Sequence, residues 1–474
     1  MNKDDATLAL NPAIIVIFGV TGDLARRKLL PSLYELQQSG HLHEKTRILG
    51  VIRREYELSA LLQDTRDSIT AKGLQIDEAA FAALASKLEL YSMNPAQPEG
   101  YPELKSYLET IETEAGVCMS RLYYLAIPPQ ISAPVITYLG QNGLNTGCDE
   151  HNVPARLLLE KPFGHDVATA EELIAVTRRY FSEEQLYRID HYLAKETVQN
   201  LATFRFRNSI FESLWNNQHI TSITIAADEK LDIEGRANFY EQVGALRDLV
   251  QSHLMNVLAV AMMDRPADLA NSDDIHRERQ KVLDSIEPVP SHQMTDRVVR
   301  GQYAGYKDEV DNQASSVETF VALKLYSRLE QWQDVPIYVR TGKALARKQT
   351  SVTVEFASRE GADSQTNQLV FSIQPNESIT MQLWVKKPGY EREMQLAPME
   401  FSYGDAFDEH GHPDAYERVL VDAMRGDTTL FATSEEVMAS WRILQPVLDY
   451  WVAHDDDIVS YEKGSEGPDL QRLH

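Results

Sequence analysis

Between Arg188 and Glu196 the chain reads Arg-Ile-Asp-His-Tyr-Leu-Ala-Lys-Glu, a run whose His191, Tyr192 and Lys195 side chains can donate hydrogen bonds to an anion. Asp190 is placed to cap a helix from His191 to about Thr203, on which His191 and Lys195, four apart, share a face with the Tyr192 hydroxyl beside them. Charge-assisted bonds from this trio could hold a phosphate dianion. On pattern alone, a capped helix with an exposed His/Lys pair is the simpler reading. A second candidate is Gly19-Val-Thr-Gly22-Asp23-Leu24. Its glycines would let the backbone approach a pyrophosphate, and the helix that follows would offer free N–H groups. The spacing is neither G-x-G-x-x-G nor a Walker A loop, and an ordinary strand-to-helix turn fits it equally well.

The second apolar run ends in Arg53-Arg54. An acidic residue at that point would hold the ribose 2′-OH of NAD, whereas an arginine accommodates the 2′-phosphate of NADP. Arg53 therefore favours NADP, with NAD as a possible secondary coenzyme. Tyr101-Pro-Glu-Leu-Lys105 has the Tyr-x-x-x-Lys spacing of short-chain dehydrogenases, but no serine lies suitably upstream and Pro102 falls inside the would-be helix, so it is read as chance. Cys118 and Cys148 stand thirty residues apart. That is neither a disulfide framework nor a metal-ligand spacing, and both are expected to be structural. No metal site is visible.

Placing these residues requires more than one core. At 474 residues the chain exceeds the ~250–300 at which single cores stop growing, so two or three domains are expected. Ala13–Phe18 is a continuous apolar, β-branched run that suits a strand buried on both faces, and Leu24–Gln38 reads as the helix after it, with Gly40 as its stop. Further apolar runs at 47–52, 121–127 and 155–159 alternate with helical segments, which predicts a doubly wound α/β domain. Past residue 190, strands follow one another at 221–227, 317–326, 337–340, 351–356, 369–374 and 379–386. This part reads as α+β with a large, mainly antiparallel sheet. Pro288–Asp308 reads as the only linker-like stretch.

A composition of 43% apolar and 25% charged residues is that of an ordinary globular protein. The net charge of −25 disfavours nucleic acid and anionic membrane as partners and requires any anionic ligand to meet a locally basic pocket. Met1–Thr7 lacks the pattern of a secretory signal and no run reaches the ~18 apolar residues of a membrane span, so a cytoplasmic location is the expectation.

Taken together, Gly-x-Thr-Gly-Asp-Leu-Ala-Arg-Arg-Lys (19–28), Glu-Lys-Pro-Phe-Gly (160–164), the 188–196 run, Glu-Gly-Arg (234–236), Gly-Ala-Leu-Arg-Asp-Leu-Val-Gln-x-His (244–253), Arg-Thr-Gly-Lys (340–343) and Pro-Asp-Ala-Tyr-Glu-Arg (413–418) resemble the glucose-6-phosphate dehydrogenase family, in its order, from residue 13 to about 450. The resemblance implies a Rossmann-like NADP-binding domain (1–187) and a substrate-binding and oligomerisation domain (188–474). It implies that His191, Tyr192 and Lys195 bind the phosphate of glucose 6-phosphate. Lys161, Lys343 and Lys348 would be further substrate-binding lysines, and Glu229 and Asp248 would hold sugar hydroxyls. Gly19, Thr21, Gly22, Asp23, Leu24, Arg53, Tyr124 and Lys161 would contact the coenzyme. His253 would be the proton acceptor and Asp190 its partner. The family also implies a homodimer or homotetramer through the large sheet.

The residues themselves bear on some of these roles. Oxidising a hemiacetal to a lactone requires loss of the hydroxyl proton as hydride leaves carbon, and histidine is the side chain best matched to that task near neutral pH. Without the resemblance, a lone histidine in the apolar helix Leu249–Met263 would read as a hydrogen-bonded core residue. Glu229 is in phase with Ile223, Ile225 and Ala227, so it ends the inward face of a strand and needs partners. Asp248 could instead pair with Arg247 or with a neighbouring helix. The Lys161-Pro162 bond is a candidate for cis geometry and for a hinge. Ala194, Ser252 and Asn256 depart from the usual glycine, asparagine and glutamine of the family, which bears on tolerance of other hexose 6-phosphates. A non-catalytic NADP-binding sensor is the alternative, against which the joint presence of Asp190, His191, Lys195, Asp248 and His253 argues.

Overall fold

The computed structural model describes residues 10–148, 153–358, 365–407, 413–454 and 457–473. The segment read for a secretory signal lies outside them. The chain forms two compact units, and the first takes residues 1–164, 168–194 and 413–434 while the second takes the remainder. The return of 413–434 to the first unit has no counterpart in a single cut at 187/188.

In the first unit, strands β1 (Ala13–Phe18), β2 (Arg47–Ile52), β3 (Leu88–Ser92), β4 (Ser120–Leu125), β5 (Ala155–Leu159) and β6 (Leu186–Ile189) lie in the order 3-2-1-4-5-6. All six are parallel. A short strand β15 (Phe431–Ala432) adds antiparallel to β6. Every residue of β1 is buried, as expected of a strand covered on both faces. Strand order reverses between β1 and β4, the point at which open α/β sheets bind ligands beyond the strand C-termini.

The core on one face joins Ile15 and Ile17 to Leu29, Leu33 and Tyr34 and to Val419, Leu420 and Ala423 of the helix Ala415–Arg425. That apolar face is why the distant 413–434 segment belongs here. Its helix starts on a capping box, in which Tyr416 N–H donates to Asp414 at 3.1 Å and Asp414 N–H to Glu417 at 3.1 Å. This accounts for most of the Pro-Asp-Ala-Tyr-Glu-Arg motif.

Three sequence expectations change in this unit. Cys118 and Cys148 form a disulfide with Cα atoms 5.8 Å apart. Separation along the chain concealed that Cys118 lies two residues before β4 and that Cys148 pairs with Val153 two residues before β5, and that these strands are neighbours in the sheet. The helix Tyr101–Ala115 does form, with Pro102 accommodated in its first turn. Tyr101 is nevertheless structural, being buried with its hydroxyl donating to the Pro95 carbonyl at 2.7 Å. The helix after the glycine turn begins as a π-turn, Ala25–Leu29, before continuing as α-helix over Leu30–Gln38.

The second unit is built on a nine-stranded sheet of β7 (Ile220–Asp228), β8 (Val298–Tyr303), β9 (Phe320–Leu325), β10 (Ile337–Gly342), β11 (Gln349–Phe356), β12 (Gln368–Gln374), β13 (Ser378–Lys386), β14 (Met394–Ser402) and β16 (Val459–Tyr461). Its order is 14-13-12-11-7-10-9-8-16. Pairing is antiparallel except for β7 with β10 and β8 with β16, so the sheet is mainly antiparallel as expected. The supposed linker Pro288–Asp308 contains β8, a correction with a clear cause. Its Arg300 and Gln302 look solvent-facing in sequence, yet both are buried and bonded, Arg300 to Asp457 and Gln302 to the Val317 carbonyl at 2.9 Å.

The turn after β1 supplies a test of this architecture. Gly19 has φ +85°, and a Cβ on it would lie 2.4 Å from the Ala126 carbonyl oxygen. Gly19→Ala should destabilise the first unit by roughly 1–3 kcal/mol, read as a lower melting temperature in calorimetry. Melting coincident with the parent protein would show that the turn adapts and that the close approach to β4 is not required.

Candidate active site

In the second unit, the parallel pairing of β7 with β10 sets Asp228 opposite Gly342, so residues 229 and 343 leave the sheet side by side. Lys343 is buried and its Nζ bonds the Glu229 carboxylate directly while lying 3.6 Å from Asp248 Oδ2. The same ammonium sits 5.6 Å from the centre of the Tyr240 ring. The Tyr461 hydroxyl donates to the Lys343 carbonyl at 2.7 Å and fixes its backbone. A buried ammonium is tolerable only with such compensation. The carboxylates keep lone pairs that can accept from sugar hydroxyls. Lys343 is one partner of Asp248, while Arg247 donates to the His165 carbonyl at 2.9 Å. Lys348 is not drawn in; it is exposed just before β11.

Asp248 and His253 lie on one element, and the sequence misread its geometry. Leu246–Leu254 is a π-helix that continues as the α-helix Met255–Met262. In an α-helix, residues five apart point about 140° from each other. The i→i+5 bonding of a π-helix stacks them on one face, and such segments recur at functional sites. His253 is fully buried. The π-helix is held at its start by Glu318, whose carboxylate accepts from Leu246 N–H at 2.9 Å and whose carbonyl accepts from Ala245 N–H at 3.0 Å. Gly244 makes that approach possible: its φ is +67°, and a Cβ there would meet the Glu318 carboxylate at 2.5 Å. Burial pushes the Glu318 carboxyl up, opposed by its bond from Leu246 N–H.

The 188–196 run folds differently from the expected helix. Arg188 is buried and committed to Glu183 at 2.6 Å and to the Ser434 hydroxyl at 2.5 Å. Asp190, also buried, accepts from Tyr192 N–H at 2.9 Å. That local turn competes with helix formation, and residues 191–195 are turns. The helix is Glu196–Arg207, with Lys195 as its extended N-cap. His191 and Lys195 therefore do not share a helical face. Tyr192 is buried against the His191 ring, centroids 5.0 Å apart, and both His191 and Lys195 are partly exposed. The chain passes from the first unit to the second between Ala194 and Lys195.

The first unit presents the features of a dinucleotide cradle. Gly22 N–H closes the turn on the Gly19 carbonyl at 2.8 Å, and Arg26 N–H bonds the Gly22 carbonyl at 3.1 Å as the helix begins. Thr21, Gly22 and Leu24 are partly accessible and Asp23 is exposed, 3.4 Å from Arg27. Arg53 is exposed at the C-terminal end of β2. Glycines, an accessible helix start and the strand-order reversal fit a dinucleotide pyrophosphate. Tyr124 is fully buried, and its hydroxyl donates to Glu160 at 2.5 Å. The Lys161-Pro162 bond is cis. Glu160 is pushed up to about 7, chiefly by burial and also by the Asp190 carboxylate, against the opposing influence of Tyr124 and Lys161.

Five contributors carried no assigned role in the sequence reading. Gly244 and Glu160 lie inside motifs already quoted, so their signal was present. Tyr240, Glu318 and Tyr461 belong to no local pattern, and only the tertiary fold brings them to Lys343 and to the π-helix.

Comparison with known proteins bears on this geometry. A family model described as glucose-6-phosphate dehydrogenase, NAD binding domain, matches residues 16–200, and one described as glucose-6-phosphate dehydrogenase, C-terminal domain, matches residues 202–473. The glucose-6-phosphate 1-dehydrogenase of Bacillus subtilis is 38% identical over 479 residues, covering 96% of this chain and 95% of its own. That of Chlamydia muridarum is 37% identical over 484 residues, covering 97% and 94%. A solved glucose-6-phosphate dehydrogenase in complex with its substrate glucose-6-phosphate superposes with a TM-score of 0.90 at 32% identity over 98% of both chains. The glucose-6-phosphate 1-dehydrogenase from Mycobacterium avium gives 0.83 at 34% identity over 98% of this chain and 97% of its own.

Glu160 makes stability depend on pH in a stated direction. Its ordinary value is 4.5 and its folded value about 7. Below the first it is protonated in both states, and as pH rises through the second the folded state loses stability by holding a buried charge. Glu160→Gln keeps an acceptor for Tyr124 and removes that charge. Between about pH 5 and about pH 8 the variant should gain on the parent by roughly 2–8 °C in melting temperature. A difference that does not change with pH would refute the assignment.

Proposed function

The chain belongs to the glucose-6-phosphate dehydrogenase family, and we propose that it oxidises D-glucose 6-phosphate at C1 to 6-phospho-D-glucono-1,5-lactone with NADP as hydride acceptor. The observation that carries this reading is the Glu229–Lys343–Asp248 cluster, with Asp248 on the same π-helix as the buried His253. A histidine alone in an apolar helix is ambiguous. On the helix that also carries Asp248, in a cluster suited to sugar hydroxyls, it is a base with a substrate to act on.

The roles follow from the chemistry. Glu229 and Asp248 accept from ring hydroxyls and Lys343 donates, which fixes the face of the sugar. His191, Tyr192 and Lys195 hold the phosphate through charge-assisted bonds, while Lys161 contacts the sugar and Lys348 lies at the margin. His253 takes the proton of the C1 hydroxyl as the C1–H pair departs, and Asp190 is the carboxylate that fixes its tautomer and stabilises the imidazolium. Holding the phosphate far from C1 orients the reacting carbon, so binding energy appears as rate. The coenzyme, when bound, supplies the hydride acceptor. Gly19, Thr21, Gly22, Asp23 and Leu24 cradle its pyrophosphate, Arg53 meets the 2′-phosphate of NADP, and NAD is a secondary coenzyme. Tyr124 acts through Glu160, since its hydroxyl is already engaged there.

We place the enzyme in the cytoplasm, at the first step of the oxidative pentose phosphate pathway. Among the described residues no helix is long and apolar enough to cross a membrane. Assembly as a homodimer or homotetramer through the large sheet is supported by apolar side chains exposed on its outer strands, among them Trp384, Met394, Met399 and Phe401.

An assay at 340 nm with glucose 6-phosphate, unphosphorylated glucose and other hexose phosphates, each with NADP and NAD, tests the reaction. Activity confined to glucose 6-phosphate and favouring NADP is the expected result; no reduction with any of them would overturn it. His253→Asn should lower kcat about 10²–10⁴-fold with little change in KM, whereas Lys195→Ala should mainly raise KM. Comparable KM losses in both would sink the division of roles.

A further inference from the structure

The last four carbonyls of any α-helix lack partners within it. In the helix Met255–Met262, which continues the π-helix bearing His253, the Ala259 carbonyl accepts from Met263 N–H at 2.9 Å, and the four carbonyls that follow each accept from a side chain. Arg205 donates to Val260 at 2.8 Å and to Met263 at 2.7 Å. Trp215 donates to Ala261 at 2.9 Å, and Trp332 donates to Met262 at 3.0 Å. The base-bearing segment is thus tied at both ends, by Glu318 at its start and by this set at its finish.

Arg205 is the unusual member. It is buried, lies 4.7 Å from the Phe206 ring centre and 4.8 Å from that of Trp215, and burial depresses it to about 9. Neutral donors, as the two tryptophans show, are sufficient to satisfy a carbonyl. What a guanidinium adds is a rigid planar fork that spans two carbonyls three residues apart, and a charge that complements the helix C-terminus. The residue also grows from Glu196–Arg207, the helix whose N-cap is Lys195. Ten residues, or about 15 Å of helix, join the proposed phosphate lysine to the clamp.

We propose that Arg205 is a positioning residue that locks the base-bearing helix to the helix capped by Lys195, so that phosphate held at one end sets the placement of His253. The inference rests on the glucose 6-phosphate reading above and goes beyond it by naming how the remote phosphate reaches the base.

The test compares Arg205→Gln, Arg205→Lys and Trp215→Phe with the parent enzyme on glucose 6-phosphate and on unphosphorylated glucose. Arg205→Gln should lower kcat on glucose 6-phosphate about 10- to 100-fold at nearly unchanged KM, the loss expected from misplacing a base by about an ångström. The preference in kcat/KM for glucose 6-phosphate over glucose should shrink about tenfold, because glucose never drew on the phosphate. Arg205→Lys, which keeps the charge and one of the two bonds, should recover part of both. Should Arg205→Gln fail to fold, Arg205→Lys and Trp215→Phe carry the comparison with smaller losses of the same kind. Folded variants with unchanged kcat and preference would overturn the proposal, and so would equal losses on both substrates, which would leave Arg205 a structural cap. A parent enzyme with no preference for glucose 6-phosphate would remove the underlying reading and the proposal with it, an outcome visible before any variant is made.

Discussion

The ammonium of Lys343 is buried beside two carboxylates, and the architecture of the second unit follows from keeping it there. Removing an ammonium from water costs several kcal/mol unless opposite charge and hydrogen bonds replace the lost hydration. Glu229 can supply that charge only because β7 and β10 are parallel neighbours that end in register, an arrangement that a purely antiparallel sheet would not give at this point. Asp248 can supply it only because Gly244 lets Glu318 seize the start of the π-helix. Each element near the cluster is thereby constrained by the same buried charge.

A π-helix is an uncommon conformation with no intrinsic advantage over the α-helix, so a nine-residue stretch of it must be held from outside. Here the restraint is applied at both ends. Glu318 fixes the first turn, and Arg205, Trp215 and Trp332 hold the carbonyls of the α-helix that follows. Between these anchors the wider turn puts Asp248 and His253 on one face. The helix supplies spacing, and its neighbours supply the energy that keeps the spacing.

Much of this was legible in the sequence where the signal is local. The apolar run Ala13–Phe18, its glycine turn and six of the nine strands of the second sheet are set by burial on one or both faces, and they stand where the pattern puts them, whereas β8, β14 and β16 were not read. The failures share a cause as well. Arg300 and Gln302 look like linker residues because their partners come from distant segments, and β8 was missed with them. Cys118 and Cys148 looked unrelated because strand adjacency, not chain separation, brings them together. His191 to Lys195 looked helical because i,i+4 spacing and a capping aspartate favour a helix, yet the same aspartate bonds Tyr192 N–H and delays the helix to Glu196. Side chains that compete with the backbone for its own N–H groups are where periodicity misleads.

The fate of the other cations explains why counting basic residues misjudges a site. With a net charge of −25, the chain must concentrate positive charge wherever it meets an anion. Arg121 is engaged by Glu112, Arg188 by Glu183, and Arg340 by Asp228. Arg188 and Arg340 stand within motifs and Arg121 in the apolar run of β4, and each holds the fold. Within the Arg188–Glu196 run, Arg188 is thus committed to the fold. A cation already paired with a carboxylate presents little net field to an anion, so a count of basic residues overstates the positive potential that such a run can offer.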